Sequence, residues 1–87
     1  MIKLVALCPA LHPALELVFS DGSRGTWLAE PLIARATILT RPLANPSYFA
    51  RAFIEGGALA WPNGLELSPA ALHAQLARSG ALIRAAA

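Results

Sequence analysis

The candidates for moving protons, attacking a carbonyl or holding a metal are His12, His73, Cys8, Asp21, Glu55 and Glu66, with Ser20 and Ser47 as hydroxyls. Catalysis needs such groups gathered where burial and neighbouring charge shift their pKa values. Here they are strewn along the chain. Asp21 stands in "SDGS", a turn in which an aspartate side chain bonds its own backbone two residues on. His73 follows Leu72 on an alanine-rich segment and reads as a helix-surface or boundary residue. His12 lies in a loop between prolines, and pairing it with Cys8 as a nucleophile would still lack a third, orienting group. Cys8 itself reads as a small buried hydrophobe. Two histidines without acidic partners at ligand spacing do not make the three or four ligands of a metal site. "EGGA" lacks the lysine and helix start of a phosphate loop. No catalytic, cofactor-binding or metal residue is expected, and the chain is not expected to be an enzyme.

One dense cluster remains, "ALAWPNGLELSP". Pro62 cannot donate to a strand ladder, so it ends the strand at Trp61. Asn63-Gly64 supplies the backbone conformations of a tight reversal, and Trp61 is a large apolar anchor. Turn chemistry accounts for every residue of the motif, so it reads as a strand-turn-helix corner. Trp61 is expected to be mostly buried.

The elements around that corner follow from period and punctuation. "IKLVALC" is a short β-prone run that Pro9 ends, and "LELVFS" alternates Leu15, Leu17 and Phe19 against Glu16, Val18 and Ser20. Asp21-Gly22 then marks a hairpin into "RGTWLA". Residues 30–40 read as a helical turn or irregular connection, because Pro31 opens a helix that Thr37, Ile38 and Thr40 resist extending. Asn45-Pro46 caps a helix over "NPSYFARAF", with Tyr48 and Phe49 facing inward. Gly56-Gly57 turns a second hairpin. Ser68, Pro69, the Leu72/Leu76 stripe and Gly80 outline the last helix.

Composition narrows the function classes. The 87 residues suffice for one small domain, of stability about 4–9 kcal/mol at ordinary per-residue values. Hydrophobic residues are 56% and charged residues 14%, with mean hydropathy +0.54. Yet no apolar run approaches the ~20 residues of a membrane span, and alanine alone supplies 19 positions. The short, proline-interrupted N-terminus does not match a signal peptide, and the single cysteine excludes an internal disulfide. A cytoplasmic location is expected. Net charge is +2 and the pI about 9.3, but Lys3 and the six arginines are scattered singly, so nucleic-acid binding by this chain alone is not expected. So few charges leave a sparsely protected surface, which favours a homodimer or a standing protein partner.

The order of "LELVFSDGSRGTWLAEPLI" and "LANPSYFARAFIEGGALAWPNGLELSPAALH" resembles domain-of-unknown-function family 2442 of bacteria, over roughly residues 2–77. The anchors are Phe19, Asp21, Gly22, Phe49, Trp61, Pro62, Asn63 and Gly64. Thr26-Trp27-Leu28 departs from the family's usual valine-aspartate-leucine. The resemblance implies an α+β fold and no demonstrated chemistry. It also implies a neighbourhood: some members are fused ahead of a helix-turn-helix domain, and others are encoded beside a small partner of domain-of-unknown-function family 4160. That pairing suggests an antitoxin. Phe19, Asp21, Gly22 and Trp61 to Gly64 are then a structural motif that could double as an interaction surface.

The expected fold is a small α+β domain over residues 1–80, with 81–87 as a flexible tail. About five mainly antiparallel strands form two hairpin units with two helices, in the order β-β-β-α-β-β-α. Strands are expected near 2–8, 14–20, 24–29, 53–56 and 58–61, and helices near 46–52 and 69–79. The functional expectation is a protein-interaction or regulatory module, antitoxin-like. The rival is a nucleic-acid-associated accessory or transcription-regulator domain, favoured only by the pI. Partner docking is expected by strand addition, at the edge of the first strand or at "ALAW", or by an apolar helix face.

Overall fold

A computed structural model describes residues 1–85, and two antiparallel meanders organise it. The first joins β1 (Leu4–Pro9), β2 (Ala14–Phe19) and β3 (Arg24–Leu28) in sequence order. Alternation does what it should in β2: Leu15, Leu17 and Phe19 are fully buried while Glu16 is exposed. Trp27 on β3, opposite Leu15, completes this inner face. Cys8 is exposed, not buried as expected. It pairs with Glu16, and Leu7 beside it faces Leu17, so the two-residue period turns the thiol outward.

The second meander joins β4 (Phe53–Glu55), β5 (Ala58–Ala60) and β6 (Glu66–Leu67). The five-strand expectation is therefore corrected to six strands in two sheets among the described residues. The extra strand is a consequence of the Trp61–Gly64 corner. A tight reversal returns the chain alongside β5, pairing Leu67 with Leu59 and Glu66 with Ala60. "ALAW" is consequently an inner strand, flanked on both sides and closed to strand addition. Phe53 begins β4, as the strand expected near 53–56 implies, and is partly exposed.

The expectation of two helices also changes. Besides α2 (Pro46–Phe49) and α3 (Pro69–Arg78), a short α1 spans Glu30–Ala34, and a 3-10 turn covers Arg41–Ala44. Asn45 and Ser68 cap α2 and α3 as their sequences imply, accepting from the Ser47 and Ala71 N–H groups. The α2 helix stops three residues short of expectation, because the chain must become extended by Phe53. The α1 helix has no side-chain cap and ends at Arg35, after which Ala36 takes the left-handed φ of 52°. Leu72 and Leu76 of α3 are buried against the core, which also holds Leu4, Leu43, Phe49, Leu59 and Trp61.

Edges are treated unequally. On β1, the Leu4 N–H donates to the Gly57 carbonyl at 2.8 Å, a bulge interrupts the ladder between Leu4 and Ala6, and Pro9 has no N–H. These devices blunt the edge where strand addition was expected. On β3, Arg24 and Ile83 exchange two backbone hydrogen bonds, of 2.9 and 2.7 Å. Within the segment expected as a tail, Ala81 and Leu82 also pack against the core. Ala86 and Ala87 lie outside the described residues.

Candidate functional site

The Trp61–Gly64 corner is a hub of hydrogen bonds. Trp61 is 1% exposed, stacked at a tilt on Phe49 (5.8 Å) and Trp27 (6.3 Å), and its indole N–H donates to the Phe49 carbonyl at 3.1 Å. Its backbone N–H donates to Leu65, closing the reversal. Pro62 is exposed. Asn63 is exposed too, yet its side-chain oxygen accepts from the Leu65 N–H and its side-chain nitrogen donates to the Leu39 carbonyl, both at 3.1 Å. The Asn63 N–H donates to the Tyr48 hydroxyl at 3.0 Å. Gly64 has φ +94° with open space around it, so the backbone conformation alone requires glycine there. One asparagine thus clamps the turn itself, α2 and the connection at Leu39.

The Phe19–Ser23 turn is built differently. Phe19 is buried, and Gly22 has φ +85°. One Asp21 oxygen accepts from the Ser23 N–H at 3.0 Å and from the buried Ser23 hydroxyl. The other oxygen accepts from His73 Nε2 at 3.0 Å, an ion pair when the imidazole is protonated. The two Ser23 hydrogen bonds, helped by His73 and opposed by partial burial, hold the Asp21 carboxyl down at about 2. The His73 ring also stands edge-on to Phe19 at 5.1 Å. Sequence reasoning finds the Asp21 turn and the boundary position of His73 but not their contact. The two residues lie far apart in the chain, and no local pattern signals the pairing.

The remaining candidates are dispersed. His12 donates from Nε2 to the Leu43 carbonyl at 2.9 Å and packs edge-on against Phe49. The Cys8 sulfur lies against the Pro9 carbonyl. Ser20 accepts from the Lys3 N–H, and Ser47 sits in the first turn of α2. Glu55 and Glu66 are exposed on β4 and β6. Among the described residues, no group of three or more His, Cys, Asp and Glu side chains could hold a metal ion. No helix among them is long and apolar enough to cross a membrane.

What sequence reasoning missed is a surface. Two contiguous grooves, of about 250 and 410 Å³, flank the end of β3 and the start of α1. They share Trp27, Leu28, Pro31 and Gln75, and α3 forms their far wall. Leu28 stands between them with 54% of its surface exposed. Residues 30–40 read as a helical turn or irregular connection, and the turn forms as α1, but that reading says nothing of the wall it makes against α3.

The family described as "Protein of unknown function (DUF2442)" matches residues 10–77, from the β1–β2 loop into α3. The chain belongs to this family. The match takes in both corners and the whole of the smaller groove, while the larger one extends past it to Ser79 and Ala81. No curated protein and no solved structure matches the chain.

Proposed function

We propose that this DUF2442 chain is a protein-interaction or regulatory module, antitoxin-like in its mode of action, that docks its partner on the grooves beside Leu28. The observation that carries the reading is the half-exposed Leu28 between two largely apolar grooves. Isolated exposed apolar residues are ordinary, but contiguous ones beside a groove mark contact surfaces. The two sequence-motif corners are already occupied by internal hydrogen bonds, which leaves them the work of holding the fold. A capping partner would cover the groove without needing any reactive group.

The test is a photo-activatable phenylalanine analogue at Leu28, irradiated in the producing cell, with the same probe at exposed Glu66 as control. The expected result is a discrete protein adduct from position 28 and none from 66. No adduct from position 28 would remove the reading. An adduct with nucleic acid would replace it by the accessory, nucleic-acid-associated role.

A further inference from the structure

Resting on that reading, we infer that the partner on this surface is a second copy of the chain, placed by a two-fold axis across α1. The helix is mostly apolar, "EPLIA", and none of its residues is buried: Leu32 and Ile33 are half-covered, and Pro31 is exposed. Left in water, it is a wall lacking its other side.

Charge identifies the occupant. One groove is lined by a single charged residue, Arg35, and the other by a single charged residue, Glu30. They stand at opposite ends of α1, about 7.5 Å apart along its axis at 1.5 Å per residue. Among the described residues neither has an intramolecular ion-pair partner. A uniformly acidic or basic segment would satisfy one end and be repelled at the other. An antiparallel copy of the same helix satisfies both, setting each Arg35 against the Glu30 of the other copy. That is the self-complementarity an isologous interface requires. Leu28 then enters the partner's groove, and the apolar centre sits inside a charged rim, the usual anatomy of a stable contact.

Sedimentation velocity through the micromolar range tests this, with Glu30→Arg and Arg35→Glu made separately. The wild type is expected to dimerise. Each variant puts like charges together twice per dimer, and its dissociation midpoint should rise roughly tenfold or more. The decisive sample is their equimolar mixture, in which one variant supplies basic residues at both positions and the other acidic ones. Heterodimers should regain the wild-type midpoint. Circular dichroism of each variant confirms folding, since both side chains are exposed. A mixture that stays as weak as its components overturns the two-fold arrangement. A monomeric wild type overturns the second-copy proposal, and if the Leu28 probe still traps a different protein, the interaction reading survives without it. A monomeric wild type with no adduct ends both.

Discussion

The two corners of this fold do the same job with opposite chemistry. At Trp61–Gly64 the chain is held by neutral groups: an indole N–H on a buried carbonyl, an asparagine amide joining Leu39 to Leu65, and the Asn63 N–H on the Tyr48 hydroxyl. At Phe19–Ser23 it is held by a carboxylate that binds its own turn with one oxygen and reaches α3 with the other. The first corner sinks Trp61 and its indole N–H into the core and leaves Asn63 at the surface. The second is an electrostatic tie at the surface. Burial decides how much each contributes, and charge decides which responds to pH.

The largest expected effect comes from emptying the neutral corner. Trp61→Ala removes a side chain packed between Phe49 and Trp27 and takes from the Phe49 carbonyl the shorter of its two hydrogen bonds, leaving the one from the Ala52 N–H. The cost should be about 3–5 kcal/mol, comparable with the whole stability of a domain this size, and urea unfolding followed by far-ultraviolet circular dichroism would measure it. Asn63→Ala sharpens the comparison by leaving the core intact. It removes the side-chain bonds to Leu39 and Leu65, for an expected loss of about 1–2 kcal/mol in the same assay.

The ionic corner should show itself in acid. Asp21 titrates at about 2 in the fold against 3.8 ordinarily, so the unfolded chain binds the proton more readily between those values. The stability it contributes is therefore fully present above pH about 4 and is lost as pH falls through about 2. Asp21→Asn should be less stable than the wild type at neutral pH, and the gap in melting temperature should narrow steadily over that acid range. A gap of constant size would mean that the carboxylate charge does not matter to this corner. Asn63→Ala should show no such narrowing, because neither of its lost bonds involves a titrating group.

The smallest effect concerns the residue that follows the C-cap of α1. Ala36 holds a left-handed φ of 52°, which costs an L-residue more than it costs glycine. Ala36→Gly should relieve that strain while loosening the unfolded chain, for a net gain of about 0.5 kcal/mol, read as a small rise in melting temperature.

How much of this was legible follows from the range over which each feature is specified. The β2 alternation, the Asp21-Gly22 turn and the Ser68-to-Gly80 helix are local patterns, and each stands where its residues imply. Trp61 is buried as its place between a strand and a turn requires. The sixth strand was harder: Glu66-Leu67 carries too short a period to read, and only its pairing with β5 makes it a strand. The exposure of Cys8 depended on register, which "IKLVALC" alone does not fix. The Asp21–His73 tie and the grooves depend on residues brought together by the fold from distant parts of the chain. No periodicity within one segment could have announced them.

In the proposed reading the corners hold the fold while the Leu28 grooves make the contact, and one paired measurement separates the two. Thermal melts and sedimentation velocity on Asn63→Ala and Leu28→Glu, side by side with the wild type, give each variant a stability and an association constant. The expected pattern is a double dissociation. Asn63→Ala should melt lower yet associate as the wild type does, whereas Leu28→Glu, at a half-exposed position, should match the wild-type melting temperature at concentrations where both are monomeric and should lose association. An Asn63→Ala chain that melts normally but no longer associates, beside a Leu28→Glu chain that associates normally, would contradict the account.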